Sequence, residues 1–323
     1  MLYVFLFNIW RKLFNMRFFI YISMFFIYIL ISISSFADIG VVYKKGNSIH
    51  ESIVKKILDF ATKDKQNYIK VPFNVDATPQ SISNEIVQNT NINTLFLIGD
   101  FAAKSGISTN LPGVFVNVIN PVQCGLIDSS GNYITQLAGI SMDIPLKNKM
   151  PIITSVLKSI NSVLIVYNEI ASDYLFRNYE KTLLDFNIKC LGVQADTENE
   201  LGQILGKYIG TFDCIISFVD NVVYSFSSVN IALKFSILNK VSFISFSPQM
   251  VNSGSLMAFY TNYEKLCTQA YNILKEVIQG QYAGNQIEFC SEFSYSINKY
   301  IAKILKLKID DKILNGAENV YEK

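Results

Sequence analysis

From residue 38 onward the chain alternates between two hydrophobic patterns. Short runs dense in β-branched and aromatic residues give way to longer stretches in which apolar residues recur every three or four positions. The first pattern reads as buried strands and the second as amphipathic helices. Residues 39–43 (IGVVY) are the first expected strand. Ser48 and Glu51, three apart, form a capping box for a helix with Ile49, Ile53, Ile57 and Phe60 near one face. Strands follow at 68–73, 93–98 and 113–118, with a helix opened by Thr78 and Pro79 between the first two. The pattern then restarts. Helices are expected at 147–157, 174–186, 198–208 and 228–238, with strands at 162–167, 189–193, 213–218 and 241–246. Strand and helix in strict alternation imply parallel sheets with helical crossovers. The fold class is therefore α/β, with two doubly wound parallel-sheet lobes and a ligand cleft between them.

Composition changes the picture at the N-terminus. Half of all residues are hydrophobic and 17% are charged, an excess concentrated in the first segment. Arg11, Lys12 and Arg17 precede an uncharged run, residues 18–37, that stops at Asp38. This is the order of a secretory signal, with small residues Ser35 and Ala37 placing the cut between Ala37 and Asp38. Residues 1–37 are thus a signal peptide or N-terminal anchor, since a run of about 20 apolar residues is also long enough to span a bilayer. Met16, followed by Arg17, is an alternative start. The mature part is expected outside the cytoplasm, in the periplasm.

Charge and cysteine content exclude several functions. The formal net charge of +2, without a basic cluster, gives no footprint for nucleic acid. One His and five scattered Cys build no zinc cage, so no metal is expected. No glycine-rich phosphate loop opens a helix, and no nucleophile elbow occurs, so neither cofactor nor catalysis is expected. The single His50 reads as a partly exposed helix residue.

In doubly wound sheets, ligands sit beyond the carboxyl ends of the strands. The loops after Tyr43, Ile98, Val118, Tyr167, Phe218 and Phe246 are therefore the ones to inspect. They carry small polar residues and helix starts whose free N–H groups suit an anionic group. The expected ligand contacts are Tyr43, Asp100, Phe101, Ala102, Asn120, Asn168, Asp220 and Asn221. Among them Asp220 suits an ammonium, the Ala102 N–H an anion, and Tyr43 and Phe101 a planar group.

Residues 121–145 (PVQCGLIDSSGNYITQLAGISMDIP) resemble the segment joining the lobes in ABC-importer solute-binding proteins of the tryptophan/tyrosine type. VYN at 166–168, VDN at 219–221, SGSLMAFYTNYEKL at 253–266 and the tail from Ser294 to Val320 are similar as well, in the same order. Where that family usually has G-T-P-A-A, this chain has Gly99-Asp100-Phe101-Ala102-Ala103, and Asn47 replaces a frequent His. The resemblance implies a type I periplasmic-binding-protein fold with three crossovers. It places 38–143 with about 263–285 in one lobe, and 144–262 with about 286–323 in the other. It also implies a small-molecule solute, an amino acid or aromatic analogue, handed to an ABC permease in the inner membrane. A membrane-anchored ligand-sensing domain of the same fold is the alternative.

Overall fold

The computed structural model describes residues 38–322; the apolar segment and the expected cut after Ala37 lie outside it. The strand runs expected from the pattern are there, and their alternation explains the layering. In β1 (Asp38–Lys44), Ile39 and Val41 enter one core while Val42 enters another on the opposite face. In β3 (Ile92–Ile98), Phe96 and Ile98 join the first core and Leu95 and Leu97 the second. Successive side chains of a strand point to opposite faces, so a continuous apolar run means both faces are covered. Helix α1 (Ser48–Lys63) covers one face, while α2 (Pro79–Gln88) and α3 (Asp100–Ile107) cover the other.

The first sheet is completed by β2 (Tyr68–Phe73), β4 (Gly113–Val118), β5 (Leu137–Ser141) and a short β11 (Glu288–Phe289), in the order β11-β5-β4-β3-β1-β2. All its pairings are parallel. The second sheet has the order β13-β12-β10-β9-β8-β6-β7. It is built from β6 (Ser162–Tyr167), β7 (Lys189–Gln194), β8 (Cys214–Ile216), β9 (Ser242–Ser245), β10 (Met257–Thr261), β12 (Phe293–Asn298) and β13 (Asn319–Tyr321). The one antiparallel pairing is β12 against β10, and β13 runs parallel to β12, so these two strands oppose the other five. Helices α4 (Leu146–Val156) and α5 (Glu169–Asp185) cover one face, and α6 (Glu200–Lys207) and α7 (Phe226–Asn239) the other.

The chain passes between the sheets three times. After β5 it enters α4; after β10 it returns as α9 (Tyr263–Ile278), which packs beside α1; after β11 it crosses again into β12. Because Glu288 and Phe289 pair with Ile140 and Ser141, the return to the first lobe extends to Phe289. The last crossover therefore runs through 290–292, a few residues beyond the boundary expected near 285. Thr261 Oγ1 donates to the Met142 carbonyl at 2.9 Å, so two of the crossovers are tied together. No described helix is long and apolar enough to cross a membrane.

Two local expectations need correction. The cap of α1 is Asn47, not Ser48: Asn47 is extended, and its Oδ1 accepts the Ile49 and His50 N–H groups at 3.1 Å each. Glu51 reaches back to the Gly46 N–H at 2.9 Å. His50 is buried, because this register turns its ring inward over Gly99; its Nδ1 accepts the Lys44 N–H at 3.2 Å. Burial, with the Lys44 charge nearby, holds the imidazole below its ordinary pKa of 6.5.

Gly99 ends β3 at φ +88°, and a Cβ there would stand 2.7 Å from His50 Cε1. Gly99→Ala should therefore cost about 2 kcal/mol or more, from left-handed backbone and a displaced ring together. Urea unfolding measures it; an unchanged midpoint would mean the ring moves aside freely.

Candidate functional site

A cavity of about 720 Å³ lies between the lobes, within the roughly 300–1,000 Å³ usual for small-molecule clefts. Three of the expected strand-end loops reach it. Ile119 follows β4, Val219 follows β8, and Ser247 and Pro248 follow β9. Ile119 arrives there because Asn117 takes a left-handed φ of 57° and the pairing of β4 with β5 slips between Phe115 and Val118. Such a bulge bends the strand and redirects the chain. The crossovers supply much of the rest of the wall, through Met142, Asp143, Ile144 and Thr261 to Glu264, and Ile49 of α1 adds to it from the first lobe. Leu175, Phe218, Phe246 and Phe259 make the lining largely apolar and aromatic.

The wall holds one buried charged cluster, the exposed Glu264 and Glu318 lying elsewhere on it. Lys149, in the first turns of α4, donates to the Tyr179 hydroxyl; that hydroxyl donates to Asp143 Oδ1 at 3.1 Å. Lys149 Nζ lies 3.6 Å from the same oxygen, and the side chains are 8% and 13% exposed. Desolvation outweighs their mutual attraction, holding the Asp143 carboxyl above and the Lys149 ammonium below their ordinary values. The ammonium also sits 4.8 Å from the Tyr179 ring centre, and Tyr179 meets Phe218 edge-on at 5.1 Å.

None of the eight residues expected from sequence is among those lining this cavity. Asp220 is 2% exposed and fully engaged. Its Oδ2 accepts from the Asn168 N–H and Ser172 hydroxyl, and its Oδ1 from the Val222 and Val223 N–H groups. Asn168 caps α5 by accepting the Ala171 N–H at 3.0 Å, while its amide donates to the Ala195 carbonyl. Asn120 donates to the Ala171 carbonyl at 2.7 Å, bridging the two lobes. These three are thus brought together around the first turn of α5, with their polar atoms used in holding loops.

The other five take no part in this network. The Asp100 carboxylate turns to the Ile119 N–H at 3.0 Å, and burial raises its pKa above the ordinary 3.8. Ala102 is fully buried, Tyr43 half-buried, and Phe101 and Asn221 exposed.

The cluster of Asp143, Lys149 and Tyr179 was not among the residues expected from sequence. The signal was Lys149 itself, which shares the buried face of α4 with Ile153 and Val156, at intervals of four and seven residues. A lysine on an apolar stripe needs a partner.

A sequence model of the family described as ABC transporter substrate binding protein matches residues 41–321. A tyrosine-binding protein of Clostridioides difficile (strain R20291) is 24% identical over 282 residues, covering 83% of this chain and 81% of that protein. Among solved structures, the ligand-free, open form of a substrate-binding protein with adhesive properties from Clostridium difficile has a TM-score of 0.72 at 19% identity. The match covers 89% of this chain and 100% of that one. An ABC domain from Streptococcus pneumoniae in complex with L-Trp has a TM-score of 0.65 at 18% identity, over 88% and 99% of the two chains. At these identities the structural likeness establishes the shared two-lobe fold.

Proposed function

Because the chain belongs to the ABC transporter substrate-binding protein family, we propose that it captures an aromatic amino acid between its lobes and presents it to an ABC permease. The cavity itself carries this reading: an inter-lobe space of about 720 Å³, walled by Phe218, Phe246 and Phe259, with one buried charged cluster. Few polar groups in an apolar cleft fix a ligand's orientation while the walls supply affinity. The names of the relatives, one binding tyrosine and one bound to L-Trp, support the same solute class. The work is capture and release by lobe closure about the crossovers, without chemistry on the solute. In this reading the protein acts in the periplasm. Tyr43 at the end of β1, Phe101 in the first turn of α3 and Asn221 after β8 meet the solute only when the lobes close. Asp100, Ala102, Asn120, Asn168 and Asp220 hold the strand-end loops in shape.

A thermal-shift panel of the amino acids tests the solute class. A solute at about 100 times its dissociation constant adds about 2.7 kcal/mol of apparent stability. L-Tyrosine or L-tryptophan should raise the unfolding midpoint, with aliphatic and acidic amino acids shifting it little. A flat response to every amino acid would remove the proposed solute class.

A further inference from the structure

The position of the charged cluster is hard to explain by packing. Lys149 stands on the face of α4 that faces the core, where a methionine would fill the same volume without desolvating a charge. A buried ion pair contributes little net stability, because desolvation offsets the attraction. Tyr179, itself 1% exposed, is committed to holding both partners, accepting from Lys149 and donating to Asp143. An ammonium has three N–H donors. Tyr179 takes one, and Asp143 Oδ1 at 3.6 Å lies beyond ordinary hydrogen-bond distance, so donor capacity remains. Both Asp143 and Lys149 line the cavity.

We propose that Asp143 and Lys149 receive the charged head of the solute, the Asp143 carboxylate taking its ammonium and Lys149 Nζ its carboxylate. The assignment rests on the amino-acid reading above and names the residues that enforce it. Charge balance selects the ligand class. The other carboxylates on the wall, Glu264 and Glu318, are exposed to water, and Glu264 is paired with Lys56. The buried pair is neutral as a whole, so a solute carrying one charge at it would leave that charge unbalanced in a space of low dielectric. A zwitterionic α-amino acid brings one charge of each sign and leaves none in excess. Leu175, Phe218 and Phe259 then flank the apolar side group. The pair also sits at the pivot, since Asp143 lies on the first crossover, beside the Met142 carbonyl that accepts from Thr261 of the second. A solute held there bears directly on the segment about which the lobes turn.

Calorimetric titration tests this with L-tyrosine and L-tryptophan, their N-acetyl derivatives, which lack the ammonium, and their amides, which lack the carboxylate. The unaltered protein should bind each derivative at least about tenfold more weakly than the parent, as expected for loss of a hydrogen-bonded charge. The double variant Lys149→Met/Asp143→Leu keeps the volume and removes both charges. It should fold and bind parent and derivatives within about threefold of one another. Equal affinity for parent and derivatives in the unaltered protein overturns the assignment, as does a double variant that retains the full preference for the parent. Absence of binding by all six compounds in the unaltered protein overturns the amino-acid reading, and this assignment with it. If the double variant does not fold, Asp143→Asn takes its place: it should lose the preference for the parents over the N-acetyl derivatives, and full retention of that preference overturns the assignment.

Discussion

Asp220→Ala should lower the stability of the ligand-free protein by roughly 3–5 kcal/mol, read as a fall in the urea midpoint. Four donors converge on this carboxylate: three backbone N–H groups, of Asn168, Val222 and Val223, and the Ser172 hydroxyl. Hydrogen bonds to a charged group contribute about 1.5–3 kcal/mol each, and shared partners make the sum less than additive. Alanine leaves all four donors without their partner in a site only 2% exposed. The sequence had suggested a different role, capture of a solute ammonium. A loss below about 1 kcal/mol together with abolished binding would reinstate that role. A large loss in the absence of any solute places Asp220 among the residues that hold the strand-end loops.

The second large effect is that of Lys149→Met alone, about 3–5 kcal/mol at neutral pH, because it strands the Asp143 carboxylate beside Tyr179. Its pH dependence has a definite sign. Burial already raises the Asp143 pKa above the ordinary 3.8, and the Lys149 charge is the largest influence pulling it back. Without Lys149 the folded-state value rises further. A carboxyl with a raised folded pKa contributes stability below its unfolded value and loses that contribution as pH rises through the folded value. The penalty of Lys149→Met should therefore be small below the ordinary carboxylate value of 3.8 and grow as pH rises from there through the raised folded value. Urea midpoints of the variant and parent across that range measure it. A penalty independent of pH would show that Asp143 escapes to water when its partner is gone. The double variant with Asp143→Leu should recover most of the loss at every pH, since no buried charge remains.

Much of the architecture was legible because burial on both faces of a sheet writes itself as an uninterrupted apolar run. Residues 113–118 and 162–167 became strands with those bounds. Capping was legible only to within a residue. Asn47 and Ser48 are both able to cap, and which one stays extended depends on how β1 hands the chain to α1. That single position also decided His50, whose ring turns in over Gly99 rather than out to solvent. Three of the expected loops reach the cavity, and it is the neighbours of the expected residues that line it. Ile119, Val219 and Ser247 line the cavity beside the polar neighbours that sequence favoured, Asn120, Asp220 and the start of α8 (Pro248–Asn252). Asn and Asp at a strand end satisfy the local backbone before they can address a ligand, as Asp100 does with the Ile119 N–H. The Asp143–Lys149–Tyr179 cluster joins residues up to 36 positions apart, and only the packing of α4 on α5 brings them together.

The return of α9 to the first lobe has a consequence for the order in which the protein acquires its shape. Leu266, Cys267, Ala270, Tyr271 and Leu274 complete the core that Ile39, Val41, Ile53 and Ile57 begin, across more than 200 positions of chain. A polypeptide emerging N-terminus first therefore leaves open the part of this face of its first sheet that α1 does not cover until most of the second lobe has been made. The lobe encoded first is completed only after most of the second, which itself closes with β12 and β13. Folding of the whole must wait on a contact of long sequence separation, which slows it and lengthens the interval in which that face is open to aggregation.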